Sequence, residues 1–92
     1  MAENKFAVIG MGRFGTAIAQ TLSQRGAEVL AIDNREEKIE DVKDDVSCAV
    51  TLDSTELKAL KSQNIQDMDA VVVAIGENFE ALLLTTVLLM EL

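Results

Sequence analysis

Three glycines, Gly10, Gly12 and Gly15, stand between an apolar run and an amphipathic one, and this placement constrains the chain more than any other feature. The run before them, Lys5–Ile9 (KFAVI), has the length and apolar content of a buried strand. After them, Phe14, Ala17, Ile18 and Leu22 share one face of a helix from Arg13 to about Arg25, and Gly26 stands at its expected end. Gly10-Met11-Gly12-Arg13-Phe14-Gly15 is therefore a strand-to-helix turn with the spacing GxGxxG. In that context Gly10 permits the tight turn, Gly12 lets backbone approach a phosphate, and Gly15 lets the helix lie close to the strand. The unpaired N–H groups at the helix start then favour an anion. The plain alternative is a turn whose glycines serve packing alone.

The alternation continues along the chain. Glu28–Ile32 (EVLAI) reads as a second strand, and Asn34 with Glu37 has the spacing of a capping box for a helix that turns Ile39 and Val42 inward. Ser47–Leu52 (SCAVTL) reads as a third strand, and Asp53 with Glu56 as the cap of a helix through Leu57 and Leu60. Ala70–Ile75 (AVVVAI), preceded by Asp69, is apolar throughout, which places it centrally in a sheet. Gly76 breaks it, Asn78 caps, and Phe79–Leu92 forms a last helix. Apolar strands without polar alternation, each followed by a helix, specify an α/β fold, a Rossmann-like parallel sheet flanked by helices. At 92 residues there is one domain, 1–92, with about 60–68% of its unfolded surface buried. Leu82, Leu83, Leu84, Val87, Leu88, Leu89 and Leu92 cover most of the last helix's circumference, more than one sheet face can bury. The sheet is thus truncated before its last strands, or the chain is an obligate oligomer.

Sixteen acidic against eight basic side chains give a formal charge of −8, which argues against nucleic acid as a partner. A small phosphate ligand needs positive potential at one point only, which a helix N-terminus and one arginine supply. The single cysteine, Cys48, forms no internal disulfide, and with no histidine in the chain no zinc or other metal site is expected. Flanked by Val46, Ala49 and Val50, it reads as a small buried hydrophobe. Glu3 and Lys5 lead directly into the first strand without a leader-like segment, and Ala81–Met90 is too short to span a bilayer, so a cytoplasmic location is expected.

The candidate site gathers at the C-terminal ends of the strands, where open α/β sheets bind ligands. Asp33, 18 residues beyond Gly15, is placed to accept hydrogen bonds from a ribose diol, or else only helps start the second helix beside Asn34. Its charge disfavours a 2′-phosphate despite the nearby Arg35. Arg13 opposes the helix dipole in the first turn, a cost that a phosphate accepting its guanidinium would offset. Asp53 or Ser54 reaches the adenine edge, or the segment only caps a helix; Ala74, Ile75 and Gly76 form a rim with room for ligand, beside Glu77 and Asn78.

Taken in order, KFAVIG, GMGRFG, EVLAID, TLDST, DAVVVAIGEN and the Leu/Thr-rich helix resemble the RCK nucleotide-binding domain of Ktr/Trk-type bacterial potassium-uptake systems, over essentially all 92 residues. The resemblance implies a cytoplasmic regulatory domain, held at the inner face of the membrane by its transporter partner. It would bind ATP, ADP or NAD(H) and assemble as homodimers into an octameric ring that gates a potassium channel or transporter. By the same resemblance Gly10, Met11, Gly12, Arg13, Phe14 and Gly15 form the phosphate turn, with Arg13 also reaching a neighbouring subunit's phosphates. Asp33, with Asn34 and Arg35 beside it, holds the ribose, while Asp53 and Ser54 face adenine and Ala74, Ile75 and Gly76 form the fourth-strand rim. LDST stands where the family often has GDAT, which departs from its adenine contact. With no histidine and no nucleophile elbow, the chain reads as a sensor rather than an enzyme. The alternatives are a Rossmann fragment of an NAD-dependent dehydrogenase and a dimerisation module with an empty pocket.

Overall fold

A computed structural model describes residues 4–92; the expectation for Glu3 lies outside them. Four parallel strands, β1 (Lys5–Ile9), β2 (Glu28–Asp33), β3 (Cys48–Thr51) and β4 (Ala70–Val73), form one sheet in the order β3-β2-β1-β4. Between them run helices α1 (Arg13–Gln24), α2 (Glu36–Val42) and α3 (Leu57–Ser62), with α4 (Phe79–Met90) last. Short 3-10 turns at Lys43–Asp45 and Ile65–Asp67 complete the crossovers.

The apolar strand sequences are explained by a core on each face. Val8, Val29 and Ala31 point to one side, where they pack with Ala19 of α1 and with Ile39 and Val42 of α2. Ala7, Ile9, Leu30 and Ile32 point to the other, against Leu60 of α3 and Ile65, with Leu88, Leu89 and Leu92 joining from the end of the chain. Successive strand residues alternate faces, so a sheet covered on both sides needs apolar residues at every position. After β3 the chain crosses β2 and β1 to lay β4 on the far side of β1. The strand order therefore reverses between β1 and β4, and this opens a crevice above the C-terminal ends of the strands.

The ends of α1 follow its glycines. Gly26 takes φ +92°, and its N–H and that of Ala27 reach back to the carbonyls of Ser23 and Leu22, a Schellman termination. At the other end, a Cβ built on Gly15 would lie 1.7 Å from the Gly10 carbonyl oxygen, so only glycine lets α1 pack on the turn. Gly10 has φ +102°, and a Cβ there would lie 2.7 Å from the Ala74 carbonyl oxygen. Gly12 has nothing within 4 Å of its notional Cβ.

Four expectations are corrected. Within residues 4–92 β4 is an edge strand, paired only with β1, and it ends at Val73, two residues short of the end of the apolar run at Ile75. Asn34 does not cap α2: Asp33 Oδ1 accepts the Arg35 N–H at 2.9 Å, and the helix starts one residue later, behind Arg35. Asp53 does not cap α3, which begins behind Glu56, because its carboxylate is turned onto Thr55. Cys48 is exposed rather than buried: it opens the edge strand β3, and while Val50 and, just past the strand, Leu52 pack on the core, Cys48 does not. Asn78, by contrast, caps α4 as expected, its Oδ1 accepting the Ala81 N–H at 3.0 Å.

Gly15→Ala should destabilise the fold by at least about 2 kcal/mol in urea denaturation, whereas Gly12→Ala should stay within about 0.5 kcal/mol of the parent. Equal costs would contradict the packing role given to Gly15.

Candidate functional site

The site grows from the turn between β1 and α1. The Gly10 N–H donates to the Ile32 carbonyl at 2.8 Å, continuing the β1–β2 ladder into the turn. The next amide, Met11 N–H, donates to Asp33 Oδ2 at 2.7 Å, while the Met11 side chain is buried in the core under α1 and α2. Thr16 Oγ1 donates back to the Met11 carbonyl at 3.1 Å. The turn is thus held from β2 and from α1 together. Gly12 is the N-cap residue, where no side chain occupies the helix end and no acid sits in the first turn. The first N–H groups of α1, which have no partner within the helix, and the positive end of its dipole are left for a ligand.

Around this turn lies a cleft of about 640 Å³. Gly10, Gly12, Arg13 and Phe14 form one wall, Asp33, Asn34 and Arg35 the second, Asp53 and Ser54 the third, and Ala74, Ile75 and Gly76 the fourth. Twelve of the fourteen sequence-derived site residues therefore meet in one cavity, and two do not. Met11 is committed to the core, and Gly15 lies beneath the Gly10 carbonyl. Ile9 and Ile32 also line the cleft, as do Leu52, Glu77, Asn78 and Ala81. Lys38 and Thr55 are lining residues that sequence reasoning missed. Lys38 had a signal, since it stands one helical turn beyond Arg35; Thr55 had none apart from its neighbour Asp53.

The electrostatics differ from those of the whole chain. Although the sequence carries twice as many acids as bases, the cleft presents Arg13, Arg35 and Lys38 against Asp33, Asp53 and Glu77, three of each sign. None of the three cations pairs with a carboxylate among the described residues. Asp33 uses two of its acceptor sites on Met11 and Arg35, and an ionised carboxylate has about four. It therefore acts first as a structural clamp and keeps capacity for a ligand hydroxyl.

The third wall is shaped by its own hydrogen bonds. Asp53 Oδ1 accepts from both the Thr55 hydroxyl and the Thr55 amide, which hold the Asp53 carboxyl below its ordinary value of 3.8. Ser54 contributes to this wall but is buried, and its hydroxyl, 2.8 Å from that of Thr85 on α4, is committed there and not free to read a ligand's edge.

Residues 6–92 match the TrkA-N domain. The chain belongs to this family. It is 47% identical over 90 residues to the Ktr system potassium uptake proteins C and A of Bacillus subtilis, covering 98% of this chain. It is 35% identical over 89 residues to the corresponding protein A of Vibrio alginolyticus. The chain spans about two fifths of the length of these relatives. Among solved structures, the NAD(P)-binding domain of an exopolyphosphatase-related protein from Archaeoglobus fulgidus superposes with a TM-score of 0.84 at 29% identity, over 97% of this chain and 66% of that one. An NAD+-bound xylitol dehydrogenase shares the fold alone, with a TM-score of 0.63 at 20% identity over 74% of this chain and 31% of that one. No helix among the described residues is long and apolar enough to cross a membrane.

Because the folded carboxyl of Asp53 titrates below 3.8, its contribution to stability is present above that pH and is lost as the pH falls through the lower folded value. Thr55→Val removes the largest cause, so a carboxyl NMR titration should show Asp53 moving up towards 3.8. An unmoved titration would remove Thr55 from that role.

Proposed function

We propose that this TrkA-N domain is a regulatory, non-catalytic nucleotide sensor of a potassium-uptake system. ATP, ADP or NAD(H) occupies the cleft. Its phosphates lie on the α1 N-terminus at Gly12–Phe14 and against Arg13, its ribose on the free acceptor sites of Asp33, and its adenine between Leu52–Asp53 and the Ala74–Gly76 rim. The observation that carries this reading is the uncapped start of α1, where Gly12 faces open space beside the Asp33 carboxylate. A helix start and an acid at the end of the neighbouring strand, at the point where strand order reverses, form the arrangement that recognises phosphate and ribose together.

The biological setting is supported by relatives named as potassium-uptake proteins. On that basis the partner is a membrane potassium transporter subunit, and the domain works at the cytoplasmic face through it. Self-assembly, as a homodimer and then an octameric ring, is supported by α4, where Phe79, Leu83, Leu84, Val87 and Met90 expose a large apolar surface. Sensing follows if the nucleotide binds two assembly states unequally.

Differential scanning calorimetry with ATP, ADP and NADH tests the site. A nucleotide at 100 times its dissociation constant should add about 2.7 kcal/mol of stability, and Gly12→Ala should abolish the gain while keeping the fold. Arg13→Ala should weaken ATP roughly tenfold more than ADP, since one more charged phosphate loses a guanidinium partner. No stabilisation by any of the three would contradict the proposal, and equal losses for ATP and ADP would remove Arg13 from discrimination.

A further inference from the structure

Two adjacent threonines on α4 behave differently. Thr86 satisfies its hydroxyl inside the helix, donating to the Leu82 carbonyl at 2.7 Å. Thr85 is fully buried and sends its hydroxyl across to the loop after β3, where it meets the Ser54 hydroxyl at 2.8 Å and the Ser54 carbonyl at 3.3 Å. The geometry lets Thr85 donate to the carbonyl while the Ser54 hydroxyl donates to Thr85, so both groups are satisfied. The flanking residues of this loop, Asp53 and Thr55, line the cleft and are locked to one another. On the helix side, Ala81 lines the cleft one turn before Thr85 on the same face. Leu83, Val87 and Met90 are exposed on the helix.

We propose that Thr85 is a positioning residue of the cleft, fixing the wall Asp53–Thr55 through Ser54 and coupling occupancy of the cleft to the order of α4. The inference rests on the nucleotide reading above. A shift of the loop would strip buried hydroxyls and a carbonyl of their partners together, so the loop and the middle of α4 move as one unit. A ligand that orders the loop therefore also orders α4, whose exposed apolar residues are the means of passing the signal on. By reciprocity, any partner that orders α4 tightens the nucleotide.

Hydrogen–deuterium exchange of the 92-residue chain, with ADP and with NADH in separate runs, tests this. In the parent, nucleotide should protect both the glycine turn and Phe79–Met90. Thr85→Val should keep protection at the turn, lose it along α4, and weaken nucleotide affinity about tenfold. Thr85→Ser, which keeps the hydroxyl, should restore both. Val29→Ala, a core change on the opposite face of the sheet from α4 and away from the cleft, should alter neither, which separates positioning from general loss of stability. Should Thr85→Val fail to fold, Ser54→Ala carries the same test with a smaller loss, because the Ser54 carbonyl remains as acceptor. Turn protection accompanied by parental α4 protection in Thr85→Val, or in Ser54→Ala where that variant carries the test, overturns the coupling alone. Absence of protection at the turn with either nucleotide overturns the nucleotide reading and this inference with it.

Discussion

The carboxylate of Asp33 accepts one amide from each side of the cleft, Met11 from the turn after β1 and Arg35 from the approach to α2. Much of the site's geometry depends on this pair of bonds. With Met11 N–H held by β2, the Met11 side chain is sent into the core and the following residue, Gly12, is placed at the mouth of the cleft. With Arg35 N–H held as well, α2 starts late, and Asn34, Arg35 and Lys38 line the cavity. Hydrogen bonds to a charged acceptor are among the stronger ones, which suits a group that must hold a glycine-rich turn otherwise free to vary.

The local neutrality of the cleft follows from how charge is distributed. Most of the acids lie outside it: Glu36 and Glu37 face the α2 dipole favourably, and Asp44 and Asp45 lie in the 3-10 turn beyond it. The cations that could attract phosphate are concentrated where the turn and α2 converge. A chain of net charge −8 can in this way repel polyanions at long range and still accept a small anion at one place.

Much of this was legible in the residues. Strand and helix identities, the glycine turn and the inward face of α2 follow from periodicity and from the conformations glycine permits, both local properties. What could not be read depends on neighbours distant in sequence. The AVVVAI run has the composition of a central strand, yet strand order, a global property, puts it at the edge within the described residues. Asp33, Asn34 and Asp53 are all competent caps, and only the folded backbone decides which amide each side chain meets. Ser54 pairs with Thr85, 31 residues away, and no local pattern announces that contact. Cys48 shows the same limit: its apolar neighbours suggested burial, but an edge position left it in solvent.

The central claim is that backbone amides at the start of α1 receive a phosphate while Asp33 keeps its hold on Met11. A crystal structure of the chain grown with ADP addresses it directly. The expected result is phosphate oxygens within hydrogen-bonding distance of the Gly12–Phe14 N–H groups and a ribose hydroxyl on Asp33, with the Met11–Asp33 bond unbroken. A nucleotide seated elsewhere, or an α1 start closed off by side chains in its presence, would contradict it.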